Sequence, residues 1–197
     1  MTLADHLPLL AFAFAGLFSP GPNVVMLTAS GARFGFRATL PHLLGVPVGT
    51  GVIGALAATG VGTALLAAPT LKLVFQLGAA AWILHLAWKT AQAGRAGRAE
   101  DRGRPFTFVE AIMFQAINPK VWAVTLAAAA GFGVGLPPMA EGARLFLVFG
   151  GVNLFVCLFW TSAGHLMRGL LADERAWRIF MTVMALVMAA TVVLIFV

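Results

Sequence analysis

The sequence predicts an all-α integral membrane protein of six transmembrane helices, arranged as two inverted three-helix repeats whose first and fourth helices are broken. Three observations carry this. Of the 197 residues, 60% are apolar and only 10% charged, with a mean hydropathy of +0.94. The basic residues cluster in the gaps between apolar runs. Two of those runs are interrupted by proline motifs, "SPGPN" and "NPK". A soluble domain carries about a quarter charged residues. This much apolar side chain exceeds what one small core can bury, so the solvent is lipid. No second, soluble domain is legible, and residues 1–197 read as one membrane domain.

Each apolar run approaches the ~20 residues needed to cross the hydrocarbon core. The opening "MTLADHLPLLAFAFAG" carries Asp5 where a signal peptide would carry Lys or Arg, which predicts a retained first helix. The first span, about 7–30, is uncharged, and so is the second, about 38–66. The third, about 70–91, has Lys72 and Lys89 near its ends, where lysines snorkel, and Trp82 and Trp88 in positions suited to an interface. Repeat 1 thus covers about 1–92. The loop at about 93–105 belongs to the one soluble-looking segment, "KTAQAGRAGRAEDRGRP", whose arginines could also touch anionic lipid headgroups. Repeat 2, about 106–197, holds a fourth span at about 106–136, interrupted by "NPK" and ended by "LPP". A fifth follows at about 145–167 and a sixth at about 179–197.

Charge orients these spans. With the gaps assigned to alternating sides, one side receives Arg33, Arg37, Lys89, Arg95, Arg98, Arg102, Arg104, Arg168, Arg175 and Arg178, ten of the thirteen basic residues. The other receives Lys72 and Arg144, and Lys120 lies inside a span. By the positive-inside rule the first set is cytoplasmic, so both termini face outward from a bacterial inner membrane. The formal charge of +6 is therefore spent on orientation and does not imply a nucleic-acid partner. Cys157 is the only cysteine, which excludes an intrachain disulfide and a Cys-rich metal site. No nucleophile with its base and no H-E-x-x-H pattern is present, so an enzyme is not expected, nor a cofactor.

Proline in a membrane helix frees backbone groups that must find partners in protein or in a water-lined cavity. Ser19–Pro20 and Asn118–Pro119 each read as an N-cap followed by proline at the first helical position. Each would open a half-helix whose free N–H groups and positive dipole end suit an anion such as the carboxylate of a zwitterionic solute. Lys120 falls in the first turn of the second half-helix, where its charge opposes the dipole. A lysine at the bilayer centre costs about 2.5–3.5 kcal/mol. A bound carboxylate would offset both penalties; a lysine at the cytoplasmic interface would need no such account. Each broken span precedes two further ones, so the halves are inverted, a common construction of secondary transporters. His42, Glu110 and His165, toward the cytoplasmic ends of their spans, could relay protons. Thr50, Gln76, Asn153, Thr161 and Ser162 could line a polar path or join helices. Gly31, Gly35, Gly45 and Gly49 follow small-xxx-small spacing, which lets helices pack closely within one chain or between the copies of a homodimer.

"FSPGPN", the following "GARFGFRATLPHLLGVPVG" and "NPKVWAV" together resemble the lysine exporter (LysE/RhtB) family of bacterial amino-acid efflux proteins, over nearly the whole chain. The resemblance implies export of amino acids or close relatives, driven by the proton gradient. Carried over by position, the motif residues are Pro20, Gly21, Pro22 and Asn23, with Asn118, Pro119 and Lys120. They are candidates for binding an amino-acid-like substrate. No Asp or Glu falls near mid-membrane, so coupling would have to use a histidine, Glu110, Asp5 or Lys120 itself. A metal or inorganic-ion exporter and a non-transporting scaffold are the alternatives.

Overall fold

In the computed structural model the described residues, 6–61, 69–96, 103–190 and 192–193, form eight α-helices and no strand. Helices α1 (Leu7–Phe18) and α2 (Pro22–Phe34) are two halves of one run, bent by 59° at the break between them. Gly35, at φ +86°, turns the chain directly into α3 (Phe36–Leu56), and the backbone kinks beyond it at Thr59 and Gly60. Helix α4 (Pro69–Ala96) covers the third expected span. The fourth is split into α5 (Phe108–Ala116) and α6 (Pro119–Gly131). Helices α7 (Pro138–Leu166) and α8 (Glu174–Ala190) follow. Asp5, Arg98, Arg102 and the far ends of the second and sixth expected spans lie outside the described residues, as do the side chains of Lys72, Gln76 and Arg95.

By length and apolar composition, Phe36–Gly60 and α7 each suffice to cross a membrane, and the bent α1–α2 pair does so taken together. The chain is a multi-pass membrane protein. Two expected boundaries are corrected. "LPP" does not end the fourth span: α6 stops at Gly131, and the prolines instead open α7, with Pro137 at the N-cap and Pro138 in the first turn. Proline's fixed φ suits that position, and its missing N–H is no loss there. Helix α8 starts at Glu174, before residue 179, because the Asp173 carboxylate accepts from the Ala176 N–H at 2.8 Å and caps it.

Helix α7 is the central element, packed on α3, α2 and α1; α3 also packs on α5, and α4 on α8 and α6. One cluster joins Leu9, Ala13 and Leu17 of α1 to Ala128 of α6 and to Leu145, Phe149 and Val156 of α7. In lipid, close van der Waals contact rather than expulsion of water holds such helices together. Glycine makes it close. A Cβ on Gly31 would lie 2.4 Å from the Thr161 carbonyl oxygen, and one on Gly164 would lie 2.1 Å from that of Thr28, so α2 and α7 touch backbone to backbone. Gly45 and Gly49 similarly bring α3 against Phe108 and Gln115 of α5. The small-residue stripes therefore work within the chain. Away from these contacts Val109, Met113, Leu147 and Leu186 are exposed, as a lipid-facing surface requires. At the start of α7, Arg144 donates to Glu141 and to the Phe132 carbonyl, tying the end of α6 to α7.

Candidate functional site

The two breaks meet. The side chain of Lys120, on the first turn of α6, reaches across to the break between α1 and α2. Its ammonium donates to the Ser19 carbonyl, to Ser19 Oγ at 2.9 Å and to the Pro20 carbonyl at 3.3 Å. The local sequence explains why those acceptors are there. In a continuous helix the Ser19 and Pro20 carbonyls would accept from the N–H groups of Asn23 and Val24. The bend turns those amides into the first turn of α2, whose N-cap is the extended Gly21 and whose first residue is Pro22. Pro20 has no N–H for the Gly16 carbonyl, and Ser19 Oγ supplies that bond instead, at 3.0 Å. The expectation that Ser19–Pro20 opens the second half-helix is thus corrected by two residues. Ser19 closes α1, with its N–H on the Ala15 carbonyl.

This placement inverts the electrostatics expected of Lys120. At the N-terminus of α6 its charge is unfavourable, but its ammonium sits at the C-terminal end of α1, the negative pole of that half-helix. Gly21 makes room for it. A Cβ there would meet Lys120 Cδ at 2.7 Å and Nζ at 2.9 Å.

The second break is capped as its sequence predicts. Asn118 is the N-cap of α6, its side chain accepting from the Lys120 N–H at 3.2 Å, and Pro119 follows in the first turn. The Ala116 carbonyl, which would take the Lys120 N–H in an unbroken helix, accepts from the Trp122 indole at 2.9 Å. Asn23, in the first turn of α2, reaches Gln115 at the end of α5. The two amides exchange hydrogen bonds of 2.8 and 3.2 Å. Gln115 also donates to the Ala111 carbonyl and accepts from Asn118. Each break therefore extends a first-turn side chain to the end of the half-helix preceding the other break.

Between them lies a cavity of about 20 Å³ lined by Gly21, Pro22, Asn23, Asn118 and Lys120, with Asn153, Cys157 and Trp160 contributed by α7. That is room for about one water, not for a solute. Asn153 is held by Thr50 of α3 at 2.7 Å and accepts from Cys157 Sγ at 3.6 Å. All seven residues of the two motifs thus lie at or beside one junction. Sequence reasoning missed Gln115, which is fully buried, and the capping role of Trp122. The signal for Gln115 was an amide inside an apolar run three residues before Asn118.

The candidate proton groups lie elsewhere. His42 is buried on α3 with its ring 5.1 Å from Phe106, and its Nδ1 has no hydrogen-bond partner among the described residues. Glu110 closes a capping box with Thr107 at the start of α5 and takes both its carboxylate oxygens to Arg104, at 2.8 and 2.9 Å. Those bonds raise the pKa of Arg104. His165 is exposed at the end of α7, in an open recess with Arg37 and Arg168. Thr161 is buried without touching the cavity.

Comparison with known proteins bears on what this junction serves. The sequence profile of a family described as LysE type translocator matches residues 14–196. The cysteine/O-acetylserine efflux proteins of Salmonella typhimurium (strain LT2) and Salmonella typhi are each 28% identical over 154 residues, covering 75% of this chain and 76% of theirs. No solved structure matches the chain significantly.

Proposed function

Since this chain belongs to the LysE type translocator family, a family of transporters rather than enzymes, we propose that it exports a small zwitterionic amino acid from the cytoplasm by alternating access, coupled to the proton gradient. The observation that carries the reading is the meeting of two broken helices around Lys120. One cation, the first-turn residues Pro22 and Asn23 of α2, and the amides of Asn118 and Asn153 line one cavity. That is a complement for a carboxylate on a small polar solute. The named activity of the relatives, efflux of cysteine and O-acetylserine, puts those two compounds first in the panel to be tried.

The six-span inverted repeat is part of the same proposal. Its counterparts are α1–α2 with α5–α6, α3 with α7 and α4 with α8. Packing supports the pairing: α3 lies on α7 and α4 on α8, while α1 on α7 is matched by α5 on α3. The cavity offers only about 20 Å³, so a solute enters only when one repeat moves against the other. With the basic ends cytoplasmic, both termini face outward. For proton handling we favour His42, whose buried ring lines a recess with Arg104 and Ser30. Glu110 is committed to its cap and to Arg104, and His165 lies exposed at the end of α7.

The test is efflux from proteoliposomes loaded with labelled cysteine, O-acetylserine and a panel of other amino acids, with and without an imposed proton gradient. Flux above that of empty vesicles is expected for at least one of them. No flux above background for any amino acid would overturn the function. Flux indifferent to the gradient would remove the coupling, and a gradient response unchanged in His42→Gln would remove His42 from it.

A further inference from the structure

Lys120 does more at the first break than bring a cation to the cavity. Its ammonium occupies a set of three converging oxygens, the Ser19 and Pro20 carbonyls and Ser19 Oγ, supplied by one short segment at the negative end of α1. Three acceptors around three N–H donors satisfy a primary ammonium completely. Yet this ligand is tethered from another element. The space a side chain at Gly21 would fill is taken by Lys120 itself, and the adjoining cavity is lined by apolar side chains and three amides, with no Asp or Glu among its lining residues to hold a substrate's amine.

We infer that this oxygen cradle is the binding site for the α-ammonium of the transported solute, and that Lys120 fills it only while the solute is absent. The inference rests on the proposed function and names the missing half of its site. On entry, the solute's ammonium takes the three oxygens and Lys120 turns to the solute's carboxylate. The exchange keeps the number of charges at the junction balanced, because the entering zwitterion is neutral overall. The cradle is never left empty at low dielectric, where unpaired carbonyls are costly. It also explains why a lysine and a glycine face each other across two repeats. The long flexible stem lets the ammonium move, and the glycine leaves space for the exchange. In wild type the tethered side chain competes with a free amine at high effective concentration, so free amines bind weakly until Lys120 is removed.

Thermal unfolding of purified full-length protein in detergent tests this. Ethylammonium chloride should raise the Tm of Lys120→Ala by about 2–4 °C and leave wild type nearly unmoved. Tetramethylammonium, equal in charge but without N–H donors, should leave both unmoved. Lys120→Met, which keeps the apolar stem, replaces Lys120→Ala if the latter does not purify folded. Equal shifts with the two cations, or equal shifts in variant and wild type, would overturn the cradle. For any amino acid that wild type exports, acetylating the amine should cut flux at least tenfold, and undiminished flux would overturn the exchange. The outcomes separate the two claims. An ethylammonium response without amino-acid efflux condemns the export reading and leaves the cradle standing. Efflux without that response does the reverse.

Discussion

Gly21 and Lys120 show how much a single pair of residues decides. Alanine at Gly21 would bring a methyl within 2.7 Å of Lys120 Cδ. The extended backbone of Gly21 is open to any residue, and the lysine stem is flexible, so the clash is relieved by moving the ammonium away. Gly21→Ala is therefore expected to keep the melting temperature within a few degrees of wild type while lowering efflux severalfold, as read by thermal unfolding and vesicle flux in parallel. A large loss of stability would show that Gly21 serves packing instead. Asn23→Leu breaks the amide pair with Gln115, and its cost should fall in the range of interhelical polar contacts in membranes, about 0.6–2 kcal/mol. At this scale the sequence was most legible where chemistry was conspicuous: a lysine beside a proline in an apolar run announces itself. The oxygens that receive it were not legible, because they are backbone groups of a distant segment and carry no residue name. Trp122 was hidden for a related reason. Its indole bonds the Ala116 carbonyl six residues earlier, a need created only by the break between α5 and α6.

At the scale of elements, the breaks were readable and their fine structure only half so. "NPK" opens α6 in the register its residues prescribe, with Asn118 capping and Pro119 in the first turn. "SPGPN" offers two prolines, each able to start a helix, and the choice fell on Pro22. The reason is in the neighbours: Ser19 spends its hydroxyl on the Gly16 carbonyl and so finishes α1, leaving Gly21 as cap. By position in their half-helices, Pro22 matches Pro119 and Asn23 matches Lys120, a correspondence that the spacing of the prolines alone did not reveal. Helix packing gives a sharp contrast within α7. Gly164→Ala places a methyl 2.1 Å from the Thr28 carbonyl oxygen, whereas a methyl on Gly151 meets nothing within 4 Å. The first should destabilise by about 1–3 kcal/mol or more. The second should be neutral or stabilising by up to about 1 kcal/mol, since alanine favours helix. Denaturation of the two variants side by side decides it, and equal stabilities would contradict the α2–α7 contact.

For the whole molecule, apolar composition gave the membrane class and the all-helical fold. Tertiary pairing was beyond its reach, since nothing in a run of leucines and alanines says which neighbour it meets. The proposed orientation rests on charge alone and has its own test. With Cys157 replaced by Ser, a cysteine at the exposed Gly103 should resist an impermeant thiol reagent applied outside intact cells and react after permeabilisation. Ready labelling from outside would reverse the topology. Transport is proposed to depend on the junction of the two breaks around Lys120, and one measurement reaches that junction most directly. This is the initial rate of amino-acid efflux from proteoliposomes containing Lys120→Ala, compared with wild type at equal protein insertion. Loss of one charged hydrogen bond to the solute's carboxylate, worth about 1.5–3 kcal/mol, predicts a rate lower by roughly 10–100-fold with the fold intact. An unchanged rate in a folded Lys120→Ala protein would contradict the claim.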